Sequence, residues 1–225
     1  MWSCYFKGPG ENTMNLRTHE RIVQEALSGR VGLQELKWIV RANLRCDLYL
    51  LSPERHFDNA PDRESLAILW EKGLNHYYSR ALDWSRRSSG LTRKYLEPFG
   101  EASHALADFY AHTNWVELQV ENGDPEALAP LLESSFDIHK FPSGIQSGYY
   151  SLHYGPTGCP RKDGVFQAPP PFRFCHETLA KDHAEKGHGG ERVSPGGPSF
   201  YELAVSLAIR ATSALWDRFS LEREI

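Results

Sequence analysis

The stretch Phe99–Glu117, FGEASHALADFYAHTNWVE, constrains the fold of this chain more than any other. His104, Asp108 and His112 recur in it at steps of four. On an α-helix that step stacks side chains on one face. Ala107 and Ala111 on the same stripe are small enough for another helix to approach closely. Two imidazoles and a carboxylate on one stripe match what a divalent transition metal takes as ligands. The alternative is a buried helix with two satisfied histidines and a capping aspartate. On an otherwise apolar helix the metal reading is the stronger one, and it requires further ligands from elsewhere in the chain.

The chain has 225 residues, 40% of them hydrophobic and 24% charged. That suits one domain with its own core. A net charge of −4 and a pI near 6.2 argue against a basic nucleic-acid surface. No apolar run approaches the roughly 18–20 residues that a transmembrane helix needs. The start, MWSCYFKGPGENT, has neither the basic nor the apolar region of a signal peptide. The expectation is a cytoplasmic chain, a chain that leaves by a leaderless route (a toxic effector, for example), or one whose leader has been removed. Cys4, Cys46, Cys159 and Cys175 form no CxxC pair. Cys159 and Cys175 flank one Pro-rich loop, where a disulfide and two reduced thiols are both open.

In chain order, residues 1–17 read as an irregular arm. THERIVQEAL follows as an amphipathic helix with His19 on the apolar face beside Ile22, Val23, Ala26 and Leu27. His19 is a core histidine or a ligand. Val31–Leu51 reads as a second helix with Asp47 near its end. Aspartate is a poor helix-interior residue and costly to bury unpaired, so Asp47 calls for Arg41, Arg45 or a metal. SPERHFDNAPDRES reads as a loop, with His56 as a candidate ligand and Asp58 as an Asx-turn. Glu64–Arg86 forms a third helix, and the central helix runs from about Pro98 to Leu118. Residues 119–175 lack periodicity, and an irregular excursion of that length is usually functional. Within it, Tyr149, Tyr150 and His153 either line a site or form a short hairpin packed on the helices. His176, Asp182, His183 and His188 crowd into CHETLAKDHAEKGHGG, where a helix can reach His183. Phe200–Phe219 is a final helix. The fold class is therefore all-α, one mostly helical domain over 1–225.

Taken together, RTHERI, RANLRCDLYLLSPERHFDN, HALADFYAHTNWVEL, SGYYSLHYGPTGC, CH, LAKD and LAIRAT resemble the zinc-dependent phospholipase C superfamily, which also holds single-strand-specific zinc nucleases. Within it the likeness is to the HET-C heterokaryon-incompatibility family, over about Arg17–Phe219. The resemblance implies a helical domain with two or three Zn2+ ions that cleaves a phospholipid at a membrane surface. It implies His19, His56, His104 and His112 as ligands, Asp108 as a bridge between two metals, and Asp47 as ligand or base. His176 matches the family's late histidine. Its expected partner four residues on is Ala180, and Asp182 is the substitute. The family also uses the amine of an N-terminal tryptophan, but here Trp2 follows Met1. Tyr149, Tyr150 and His153 fall where lipid would enter. A nuclease, another phosphoesterase and a non-catalytic recognition domain are the alternatives on the same fold.

Overall fold

The computed structural model describes residues 16–49, 51–130 and 137–224. Residues 1–15, including Trp2 and most of the expected arm, lie outside them. The described chain is mainly helical: α1 (Leu16–Leu27), α2 (Leu33–Arg45), α3 (Pro53–His56), α4 (Arg63–Trp70), α5 (His76–Ser85), α6 (Arg93–His112), α7 (Trp115–Glu121), α8 (His176–Leu179) and α9 (Phe200–Glu222). Two short strands, β1 (Arg161–Lys162) and β2 (Val165–Phe166), pair antiparallel. The fold is thus mainly rather than wholly α. Among the described residues no helix is long and apolar enough to cross a membrane.

α6 is the axis. Every residue from Pro98 to His112 is buried, so this part of the helix has no solvent face and must be packed on all sides. α1, α2, α3, α5 and α9 pack around it. Gly100 lets α2 come in backbone to backbone, since a Cβ there would collide with the carbonyl of Ile39. Asn43 of α2 then donates to Ser103 Oγ at 2.9 Å, and Ser103 to the carbonyl of Gly100 at 2.8 Å. On the other side Phe57, Trp70, Phe109 and Phe141 meet edge-on or tilted, with centroids 5.1–5.9 Å apart. Such offset contacts add to the burial of the rings.

Several boundaries differ from the sequence reading for identifiable reasons. α1 begins at Leu16, so the last two residues of the expected arm are helical. α2 stops at Arg45, and Asp47 sits in a tight turn of 46–48. The loop after it contains α3, opened by Pro53 at its first turn. The third helix is continuous but carries a wide turn over Glu71–Asn75 between α4 and α5. Such insertions recur near functional sites. α6 starts five residues before Pro98 and runs through it, because Tyr95 and Leu96 already bury their side chains. It ends at His112, where Thr113 turns extended and bridges Ser147. The late helix is a single turn that stops at Leu179, and Ala180 is extended.

Candidate metal centre

The ligand-type side chains arrive from α1, the 46–48 turn, α3, α6, α8 and the segment after α8. Three glycines permit this convergence. A Cβ at Gly73, in the wide turn, would strike the carbonyl of Glu54, so Gly73 lets α3 settle against the helix that follows it. Gly100 brings α2, and hence Asp47, against α6. A Cβ at Gly148 would stand 2.5 Å from His176 Cα.

The loop after His56 is unusual. Phe57 and Asn59 hold φ of 50° and 66° on either side of Asp58, a region that non-glycine residues rarely adopt. Asn59 acts there as a strand partner. Its Nδ2 donates to the Tyr150 carbonyl at 2.9 Å, and its Oδ1 accepts from Tyr150 N at 2.8 Å. Its own N–H donates to the carbonyl of Gly148. Residues 147–150 thereby tie the loop to the end of α6 (Gly148 N to His112 O) and to His176, whose N–H donates to the carbonyl of Tyr149.

Four donor atoms meet at the first cluster. His56 Nδ1 is 3.0 Å and His104 Nε2 is 3.2 Å from Asp108 Oδ2. The two ring nitrogens face each other at 3.4 Å, and Asp47 Oδ1 lies 3.9 Å from His104 Nε2. A tetrahedral ion with ligands at about 2.0–2.2 Å has ligand–ligand edges of about 3.4 Å. The observed separations bracket that value. The same distances also fit a proton network, since Asp108 Oδ2 has lone pairs enough to accept an N–H from both rings. Asp108 Oδ1 turns the other way, 3.1 Å from His19 Nε2. His19 stacks on His104 at 4.3 Å between centroids. Its two ring nitrogens, Asp108 Oδ1, Asp47 Oδ2, His56 Nε2 and His104 Nδ1 are buried and make no hydrogen bond among the described residues. Each such orphan costs roughly 1–3 kcal/mol if nothing binds it. Of these atoms only His19 Nε2 and Asp108 Oδ1 face each other, and none is among the four facing donors of the first cluster.

The second cluster is His112, His176 and Asp182. His112 Nδ1 donates to the carbonyl of His56 at 2.7 Å, which leaves Nε2 facing Asp182 Oδ1 at 3.1 Å. His176 Nδ1 donates to Asp58 Oδ1 at 2.8 Å, and its Nε2, otherwise unpartnered, lies 3.7 Å from Asp182 Oδ2. Asp58, His112 and His176 also lie within 4.8 Å of one another, but the hydrogen bonds separate their roles. Asp58 orients His176, and Asp182 closes the open side. This arrangement, a carboxylate behind a histidine whose other nitrogen is offered outward, is common at metal sites. Asp58 is therefore not the Asx-turn expected from the sequence. Its acidity beside HF, one turn-length from a candidate ligand, is the signal that could have identified it.

The electrostatics differ between the clusters: His104 in the first is held neutral, while His112 and His176 in the second are held protonated. Burial pushes the Asp47 carboxyl up to about 6. Burial also opposes ionisation of Asp108, yet the surrounding histidines outweigh it and hold the carboxyl well below its usual range. Burial drives the His104 imidazole down to about 3. For His112 burial is opposed and exceeded by Asp182 and Asp108, and the imidazole rises to about 9. His176 rises in the same way against Asp58 and Asp182. A cation on the free nitrogens satisfies the same field as a proton does.

A buried lysine fixes the segment that carries Asp182. Lys181 Nζ donates to the carbonyls of Thr113 and Leu179 and to Glu117 at 2.8, 3.2 and 2.9 Å, and Lys181 N donates to the carbonyl of Ala111. His188 Nε2 completes Glu117 at 2.7 Å. Cys159 and Cys175 are joined by a disulfide directly before His176.

Beside the second cluster is a cleft of about 270 Å³ lined by Leu51, Pro53, Asp58, Asn59, Tyr150, Ser151, Leu152 and His153. The ring of Tyr150 lies 5.6 Å from that of His176. Tyr150 and His153 thus border the site. Tyr149 packs on Phe172 and Tyr154 and does not line the cleft. Among the described residues three such groups, His19 with His104 and Asp108, Asp47 with His56 and His104, and Asp58 with His112 and His176, could each hold a metal ion. Comparison with known proteins finds no matching family model, curated protein or solved structure, so the chemistry rests on these donors.

Proposed function

We propose that this chain is a zinc-dependent phosphodiesterase, a HET-C-like member of the zinc-dependent phospholipase C superfamily. It would release a phosphorylated headgroup and diacylglycerol from a glycerophospholipid. The observation that carries this reading is the convergence of Asp108 Oδ2, His56 Nδ1 and Asp47 Oδ1 on His104 Nε2, at 3.2, 3.4 and 3.9 Å, with Asp108 Oδ1 turned toward His19.

In this reading Asp47, His56, His104 and Asp108 hold one ion, and His112, His176 and Asp182 hold another. His19 and Asp108 Oδ1 are half of a third position. Zinc bound there supplies polarisation of water and neutralisation of phosphoryl oxygens. The protein does the rest. Asp47 Oδ2 is unpaired and accepts the proton of the attacking water. Asp58 and the carbonyl of His56 keep His176 and His112 in the tautomers that present Nε2. The exposed side chains of Leu51 and Leu152 border the cleft and suit the glycerol end of a lipid. No lysine or arginine lines that cleft among the described residues, which weighs against a polynucleotide.

The test is hydrolysis by metal-stripped and zinc-restored full chain. Substrates are phosphatidylcholine vesicles and, in parallel, single-stranded DNA. Zinc-dependent release of diacylglycerol is the expected result. Cleavage of DNA alone would move the reading to the nuclease branch. No reaction with either substrate, together with no zinc uptake, would remove it.

A further inference from the structure

Arg55 immediately precedes His56, and its guanidinium touches the elements that carry the first cluster. It lies between two tyrosines, 4.5 Å from the ring centroid of Tyr49 and 4.9 Å from that of Tyr77. Its Nη1 donates to Cys46 Sγ at 3.3 Å and stands 3.7 Å from Glu101 Oε1. Cys46 adjoins Asp47, and Glu101 lies one turn of α6 before His104. Cys46 and Glu101 thus each lie within one turn of a different ligand, and Arg55 itself adjoins a third, His56.

Neutralising Glu101 does not require Arg55. Arg45 already reaches Glu101 at 3.2 Å and Arg80 at 3.7 Å. What Arg55 adds is geometry, because a planar guanidinium can stack on two rings while its fork reaches sideways to sulfur and carboxylate. A lysine has the charge without that shape.

We propose that Arg55 is the positioning residue that preorganises the first centre, locking α3, the 46–48 turn and α6 in the spacing that its ligands need. The proposal rests on the metal reading above. Ligands are effective only when their supports fix them before the ion arrives. The second centre also takes the carbonyl of His56 and the carboxylate of Asp58, but residues 147–150, the Cys159–Cys175 disulfide and Lys181 hold it independently of Arg55. Loss of Arg55 therefore weakens the first centre more than the second.

The experiment is a zinc titration of the metal-free full chain against a chromophoric chelator. D182N identifies which class of sites belongs to the second centre. R55Q is expected to lower the affinity of the first class by about 10–100-fold, the usual effect of losing a partner that orients a ligand, and the second class by clearly less. R55K is expected to fall with R55Q, and it decides the matter should R55Q not fold. An equal loss in both classes, no loss in either, or failure of both variants to fold would each overturn the proposal. Wild-type protein that takes up no zinc would overturn the metal reading and the clamp together. That outcome is distinct from zinc-loaded wild type whose affinity R55Q leaves intact.

Discussion

The two clusters share α6 but are built in different ways. The first is made between helices: Asp47, His56 and His104 are brought together by backbone contacts at Gly73 and Gly100 and by the core around α6. The second hangs on irregular chain: His176 follows a disulfide, and Asp182 follows a buried lysine. Regular structure positions ligands through packing. Irregular structure needs a staple at each one, and each staple is a place where the second cluster can be disturbed without the first.

The largest contrast is expected at Asp108, whose two oxygens face His19 on one side and His56 with His104 on the other. Asp108→Asn should reduce hydrolysis by more than the roughly 100-fold that losing an outer partner of a ligand costs. Zinc analysis should show the first cluster emptied and His112, His176 and Asp182 still loaded. Loss of all zinc would mean that the two clusters are one cooperative unit.

Next in size is the disulfide. Replacing Cys159 and Cys175 by serine opens a loop with a sequence separation of 16 residues, which should cost about 3 kcal/mol in chemical denaturation. The weakened zinc class should be the second. Equal weakening of both would show that the excursion supports the whole molecule.

Two glycines give a matched pair. Gly73→Ala pushes on α3 and should disturb the first cluster. Gly148→Ala pushes on His176 and should disturb the second. Each overpacking change should cost about 1–3 kcal/mol. Chelator competition on both variants checks the split, and a swapped pattern would break it.

The smallest effect is a pH dependence at Glu117. Burial opposes its ionisation, but Lys181 and His188 outweigh burial and hold its carboxyl below the usual 4.5. Its folded value is thus below its unfolded one. The stabilisation is fully present above pH 4.5 and is lost as pH falls through the folded value. Glu117→Gln should flatten that part of the acid limb in urea unfolding curves of the metal-free protein. An unchanged acid limb would remove Glu117 from the account.

The helices were legible in the sequence because periodicity reports burial, and α6 was the clearest of them. The spacing of His104, Asp108 and His112 needed only the pitch of a helix. The short α3, the wide turn at Glu71–Asn75 and the break at Thr113 were not legible, because tertiary contacts decide them: the close approach at Gly73 and the bridge to Ser147. Asp58 was read as a local turn because its partner His176 is 118 residues away. Arg55 and Glu101 carried no signal in the sequence for the same reason, since their contacts are with distant parts of the chain. Asp182 came from resemblance, not from spacing, since an extended step at Ala180 rather than a helical one brings it to His112.

Anomalous diffraction at the zinc edge from crystals of the zinc-loaded full chain tests the central claim most directly. The account predicts a peak about 2.0–2.2 Å from Asp47 Oδ1, His56 Nδ1, His104 Nε2 and Asp108 Oδ2, and a second beside His112 Nε2, His176 Nε2 and Asp182. Crystals with no peak at the first position, and with those four side chains hydrogen-bonded directly to one another, would contradict it.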